Sequence, residues 1–457
     1  MPKIKPPVRP GQKITLTISG QSHTGDGVGK YKGFTIFVPM AVAGEQVEAK
    51  VTQVKKTYAH ARLKQLVEVS PERVDVPCPV FQRCGGCQIQ HISYSAQLES
   101  KRQQVMDAFA RIGGLDHVKV HPVLGMKDPW NYRNKAQVPF GGSNGQIQAG
   151  FYAVGSHEIV EFDHCMIQQP ENDRVLQQVK ELVNELAIPP YDEKQHRGVL
   201  RHVMVRTGVH TGEMMVVLVT KGPHLPQKKR LVKEMRERVS GLVSLIQNIQ
   251  PKRTNVVLGK ENRILWGEPV IHDKIGHVLF SISPHSFFQI NPEQTEVLYD
   301  QVRKMANLTG EETVIDAYCG IGTIGLYLAK DAARVLGVES ISQAVEDARN
   351  NARLNGIKNS FFEAGLAETV MSRWAGEGVQ PDVIIVDPPR KGCATQLLDA
   401  VVKMAPQRLV YVSCNPATLA RDAAYLKERD YEIRNVQPVD MFPHTSHVEC
   451  CALVERK

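Results

Sequence analysis

At 457 residues and 42% apolar content, the chain is long enough for two or three domains with separate cores. No apolar stretch approaches membrane-spanning length, the start Met1-Pro2-Lys3-Ile4-Lys5-Pro6-Pro7 lacks the apolar segment of a signal peptide, and nine cysteines over this length exclude a secreted disulfide scaffold, so a cytoplasmic protein with no membrane partner is expected. The net charge of +8 is localised: residues 1–66 hold eleven Lys or Arg against Asp26, Glu45 and Glu48, the rest of the chain is neutral, and such a leader suits a polyanion, most simply nucleic acid.

Residues 14–18, 34–38, 45–51 and 59–66 predict short strands, with Gly25, Gly27, Gly29 and Gly33 marking turns. That spacing predicts a small OB-like β-barrel over residues 1–66. A cysteine cluster follows: Cys78-x5-Cys84-x2-Cys87, in which Gly85 and Gly86 let the chain fold around a centre, with Cys165 as the fourth thiolate. Four cysteines fit either zinc, the commoner default, or an iron–sulfur cluster, and spacing does not separate the two. Residues 94–113 predict a helix ending at Gly113-Gly114, placed to pack on the C-terminal domain. The stretch to residue 280 mixes strands with a helix near 170–186, so 67–280 is expected to be a mixed α+β central domain.

Residues 281–457 alternate strand and helix, the pattern of a parallel α/β sheet; strands are expected at 313–317, 334–338, 359–363, 382–386, 408–412, 433–439 and 448–454. Asp316-Ala317-Tyr318-Cys319-Gly320-Ile321-Gly322 opens a glycine loop that permits close backbone approach to a nucleotide-like cofactor. Glu339, at the end of the next strand, can accept hydrogen bonds from both ribose hydroxyls. A dinucleotide site of a dehydrogenase is the alternative, though the acidic residue opening the loop suits S-adenosylmethionine better. Gln289 precedes the helix start Asn291-Pro292 and can present an amide to the cofactor or serve as part of a capping loop.

Asp387-Pro388-Pro389-Arg390 stops an apolar strand and leaves Asp387 at the sheet's carboxyl edge. Related amino-group methylases carry an aromatic in place of Arg390. Cys414, in Ser413-Cys414-Asn415-Pro416, lies past its strand, with Asn415 suited to the N-cap and Pro416 to the first helical position. A free thiol is only roughly a tenth ionised near pH 7.5, so a reactive one needs a neighbouring donor or a helix start. Cys319, Cys393, Cys450 and Cys451 read as inert packing, and His444 and His447 as structural. Glu449 sits in an apolar strand start, where a raised pKa suits a general base.

Together these motifs closely resemble the RNA (uracil-5-)methyltransferase family. The resemblance rests on a TRAM-like leader, the cysteine cluster, Phe287-Phe288-Gln289-Ile290-Asn291, Asp316-x-x-Cys319-Gly320-x-Gly322, Asp387-Pro388-Pro389-Arg390, Ser413-Cys414-Asn415-Pro416-x-Thr418-x-x-Arg421-Asp422 and His447-Val448-Glu449. It implies a Rossmann-like class I methyltransferase domain over 281–457, with S-adenosylmethionine contacted by Gln289, Tyr318, Glu339 and Asp387. It implies Cys414 as nucleophile and Glu449 as base, and it favours a 4Fe-4S cluster at Cys78, Cys84, Cys87 and Cys165 over zinc. One departure is Gly365, where some relatives carry Asn. The expected reaction is methylation of carbon 5 of a uridine in 23S ribosomal RNA; a transfer-RNA methylase of the same chemistry and a non-catalytic, chaperone-like RNA-binding factor are the alternatives.

Overall fold

The computed structural model describes residues 6–143 and 146–457. Ile14, Leu16 and Ile18 alternate with exposed neighbours along Lys13–Gln21, and one apolar face is what a barrel needs to close. Strands Lys13–Gln21, Gly27–Tyr31, Phe34–Val38, Tyr58–Glu68 and Gln46–Val54 form a closed barrel in that spatial order. A methyl group at Gly29 would stand 2.4 Å from the Thr17 carbonyl oxygen, so only glycine fits this crossing.

The central sheet has seven strands, ordered Glu261–Gly267, Leu242–Ile249, Met214–Thr220, Leu200–Thr207, Lys135–Ser143, Gln146–Tyr152 and Ile159–Glu161. Helices Pro170–Glu185 and Lys228–Arg238 cover one face. On the other, Met204, Met215, Val217 and Ile246 share a continuous core with Phe280, Phe288 and Leu298 of the following segment. The central and C-terminal parts are thus packed together by buried apolar surface.

The C-terminal sheet runs Ser360–Ala364, Arg334–Glu339, Thr313–Ala317, Val383–Val386, Arg408–Ser413, Glu449–Arg456, Tyr431–Val439 and Lys119–Val120. The first five strands are parallel; Glu449–Arg456 is inserted antiparallel to both its neighbours. Helices lie on both faces, giving the three layers of a Rossmann-like α/β domain. The expected C-terminal strands are all present, with edges displaced by no more than two residues.

The eighth strand was not anticipated. Lys119–Val120 pairs parallel with Asn435 and Val436, so a segment read as central-domain chain completes the edge of the C-terminal sheet. Helix Tyr94–Ala108 leads into it, capped by Ser93, whose Oγ accepts from the Ala96 amide at 3.3 Å. A π-turn, Phe109–Gly113, then buries Phe109 among Leu419, Ala420 and Ala423. From the same helix Lys101 donates to Asp440 Oδ1 at 2.6 Å, with the two side chains 2% and 0% exposed. Removing one partner of such a pair strands the other charge away from water, so Lys101→Met is expected to cost about 3–5 kcal/mol of unfolding free energy, measured by denaturant titration. Among the described residues, no helix is long and apolar enough to cross a membrane.

Candidate active site

Sheet order reverses between Thr313–Ala317 and Val383–Val386, and ligands of open α/β sheets bind at the carboxyl edge of such a switch point. The loop leaving Thr313–Ala317 turns sharply because Tyr318, Gly320 and Gly322 all take the left-handed conformation, at φ +66°, +56° and +82°. Tyr318 is the residue for which this is costly, and strain of that kind persists where the surroundings hold it. Nothing stands within 4 Å of where a Gly320 methyl would be, so a ligand can approach that backbone. The Asp316 carboxylate at the strand end accepts the Gly325 amide at 2.8 Å. Burial pushes Asp316 up to about 7 against that hydrogen bond, with Asp387 and Glu339 adding like charge.

Glu339 ends the adjacent strand. Its Oε2 accepts from the Gly320 amide at 3.3 Å and its Oε1 from the Ile341 amide at 2.9 Å, which fixes the carboxylate over the loop. Gln289 is held from the central sheet: Asn134 Nδ2 donates to the Gln289 carbonyl at 3.0 Å and the Asn134 amide to the Ile290 carbonyl at 2.9 Å. Buried Arg206 donates to the Ser286 carbonyl at 3.1 Å, tying down the same loop.

Register places the reactive groups. Ser413 pairs with Cys450 across the antiparallel strands, so the next step along each chain brings Cys414 opposite Glu449. Asn415 then caps helix Pro416–Lys427, its side chain accepting from the Ala417 amide at 3.1 Å. Asn415 Nδ2 also donates to the Arg390 carbonyl at 2.8 Å, tying the Asp387–Arg390 loop to the cysteine turn. Burial pushes the Cys414 thiol up to about 11, with Glu449 and Asp387 adding to the rise and Arg390 opposing it. Glu449 is 4% exposed; burial and then Asp387 hold its carboxyl well above the usual carboxylate range, again against Arg390. Asp387 itself is raised by burial to about 7. A thiol, two acids and one cation therefore share a single electrostatic environment, one suited to covalent attack followed by proton removal.

Two contributors were quoted in the sequence motifs without a part in the site. Arg390 is the cation facing Cys414 and Glu449. Asp422 is a brace, accepting from the Cys393 amide, the Tyr411 hydroxyl and Arg421 Nε at 2.9, 2.7 and 2.8 Å. The signal for the second was an acid seven residues after a cap, on the helix face turned to the sheet. Cys319, Cys393, Cys450 and Cys451 are buried, as packing thiols should be.

Cys78, Cys84, Cys87 and Cys165 are all half-buried free thiols. Cys87 and Cys165 pack on the Met126, Tyr132 and Ile167 cluster. Burial pushes both to about 12, and each also feels neighbouring thiols: Cys87 those of Cys84 and Cys78, Cys165 that of Cys87. Among the described residues, however, no three His, Cys, Asp or Glu side chains are disposed to hold a metal ion.

Comparison with known proteins matches this geometry to one family. Residues 93–457 match the family described as tRNA (Uracil-5-)-methyltransferase, and residues 7–64 match the TRAM domain. An uncharacterized RNA methyltransferase of Halalkalibacterium halodurans is 54% identical over 457 residues, 100% of each chain. Another from Bacillus cereus is 50% identical over 454 residues, 99% of each chain. Among solved structures, the Pyrococcus abyssi tRNA (uracil-54, C5)-methyltransferase in complex with S-adenosyl-L-homocysteine is similar over 96% of this chain and 99% of that one, at 32% identity and a TM-score of 0.77. With its fold, its motifs and most of its length in agreement, the chain belongs to the tRNA (uracil-5-)-methyltransferase family and carries an N-terminal TRAM domain.

Proposed function

We propose that this protein methylates carbon 5 of a uridine in RNA, with Cys414 as nucleophile, Glu449 as base and S-adenosylmethionine as methyl donor. The observation that carries this reading is the Ser413–Cys450 pairing, one step beyond which lie Cys414 and buried Glu449 at the carboxyl edge of the sheet. The open approach to Gly320 and the anchored Glu339 carboxylate fit an adenosyl ligand, with Gln289, Tyr318, Glu339 and Asp387 as the contacting residues. When bound, S-adenosylmethionine supplies an electrophilic methyl group.

Carbon 5 of uracil is too weak a nucleophile to take that methyl unaided. The Cys414 thiolate adds to carbon 6, and the electron pair of the 5,6 double bond moves into an enolate that makes carbon 5 nucleophilic. After methylation, Glu449 takes the proton from carbon 5, the carbon 6–sulfur bond breaks, and the double bond and thiolate are restored. The target base must leave its stack, at a cost of a few kcal/mol that a loop or single strand lessens. RNA carrying 5-fluorouridine tests the scheme, because fluorine cannot leave as a proton. A denaturant-stable adduct through Cys414 is expected, and its absence under conditions of cofactor binding would favour a non-catalytic RNA-binding factor.

We read the substrate as 23S ribosomal RNA, in keeping with the four-cysteine segment beside a basic barrel. The likeness to a solved tRNA methyltransferase favours transfer RNA as the second reading. Mapping 5-methyluridine in RNA from cells with and without the gene decides between them. Although the described residues do not gather three His, Cys, Asp or Glu side chains around a metal position, we read Cys78, Cys84, Cys87 and Cys165 as the ligands of a 4Fe-4S cluster on the strength of the all-thiol donor set and its Cys78-x5-Cys84-x2-Cys87 spacing. Anaerobically purified protein is then expected to be brown and to contain about four irons per chain, and Cys87→Ser to lose the colour; a colourless, zinc-rich preparation would replace iron by zinc.

A further inference from the structure

Glu449 follows a loop, residues 440–448, that is gripped by segments far from it in sequence. His444 is the centre of that grip. Its backbone is left-handed, at φ +65°, and its side chain is 3% exposed. The His444 amide donates to Gln97 Oε1 at 3.0 Å, and Gln97 Nε2 donates to His444 Nδ1 at 3.2 Å. The His444 carbonyl accepts the amides of both Gln88 and Ile89 at 3.1 Å. The Trp130 ring stacks on the imidazole, centroids 3.7 Å apart and 18° from parallel. Three segments that are distant in sequence thus converge on one residue, five positions before the base.

One of these segments is the cysteine cluster itself. Gln88 adjoins Cys87, and Trp130 packs on the same apolar cluster as Cys87 and Cys165. A backbone held left-handed in a non-glycine residue persists only where its surroundings over-determine it. Here those surroundings are the cysteine segment and helix Tyr94–Ala108. General bases lose much of their effect when displaced by about 1 Å, so the grip has a chemical consequence.

We propose that His444 is a positioning residue for Glu449, and that the cysteine segment governs the proton-removal step through it. This rests on the reaction proposed above. It assigns the cysteine cluster a defined influence on catalysis without any redox step.

The test separates steps. His444→Gly keeps the left-handed backbone and removes the ring; His444→Asn tolerates the same backbone and can still take the Gln97 hydrogen bond. On ordinary uridine RNA, His444→Gly is expected to lower turnover about ten- to a hundredfold and to accumulate the methylated covalent adduct, with KM little changed. On 5-fluorouridine RNA it should form adduct at the wild-type rate, because that route needs no proton removal. His444→Asn should recover most of the turnover, and Trp130→Leu should show the same step-specific defect in weaker form. Cys87→Ser should raise hydrogen exchange in peptides covering 86–92 and 440–448 together, a readout independent of activity. Wild-type turnover by His444→Gly, or equal loss of adduct formation and turnover, would overturn the proposal. Failure of the wild-type enzyme to form any adduct would instead overturn the reaction scheme, and the inference with it.

Discussion

Cys414→Ala is expected to lower methylation at least about a thousandfold, or roughly 4 kcal/mol of barrier, while RNA affinity stays within about threefold. The separation follows from where the thiol sits. Truncating it removes one sulfur atom from a turn whose conformation is set by other groups: the Asn415 cap, Pro416 at the first helical position, and the Asn415 Nδ2 bond to the Arg390 carbonyl. None of these involves the sulfur, so the turn should survive. The loss falls on chemistry, since without addition at carbon 6 the ring has no enolate to offer. Methylation measured with labelled cofactor and RNA binding measured by filter retention check the two halves together. Turnover retained by the alanine variant would remove the nucleophile from the mechanism.

Burial, Glu449 and Asp387 together hold the free Cys414 thiol above its ordinary value. The same two acids that raise it, Glu449 and Asp387, are themselves raised by burial. Arg390 is the opposing influence. A cation brought alongside the sulfur would therefore favour the thiolate that attack requires.

How much of this was legible in the sequence depends on the range of each contact. The Cys414 turn was readable because Asn-Pro after an apolar run is local punctuation. The position of Glu339 at the end of the adjacent strand was readable from its distance along a βαβ unit. Lys119–Val120 was not, because two residues carry no periodicity and their strand exists only by pairing with Asn435 and Val436. The Lys101–Asp440 pair and the Gln97–His444 contacts join residues more than 300 apart, and a helix bearing them looks like any polar-faced helix until its partner is in place. His444 was read as structural from sequence; it is buried and firmly held, and the surprise lies in which segments hold it. The cysteine cluster illustrates the opposite limit: its spacing is local and clear, while the metal it would select is not encoded in spacing at all.

Glu449→Gln is expected to slow turnover by about 10²- to 10⁴-fold, the usual worth of a general base, and to do so after methyl transfer. The covalent adduct on ordinary uridine RNA should then accumulate, visible as a denaturant-stable band that the wild type resolves quickly. Its alkaline behaviour provides an independent check. Glu449 raises the Cys414 pKa by like charge, and the neutral amide removes that contribution. The thiolate should therefore form at lower pH in the variant. The midpoint for capture on 5-fluorouridine RNA, which needs the thiolate but not the base, should shift downward from its wild-type position. A merely structural carboxylate beside the thiol would still give the shift but not the accumulated adduct, so accumulation is the result specific to a base, and a shift to higher pH would mean that Glu449 assists ionisation of the thiol rather than opposing it. Fast wild-type turnover by the glutamine variant would assign proton removal to another group, and Asp387, sharing the same buried environment, is the one to test next.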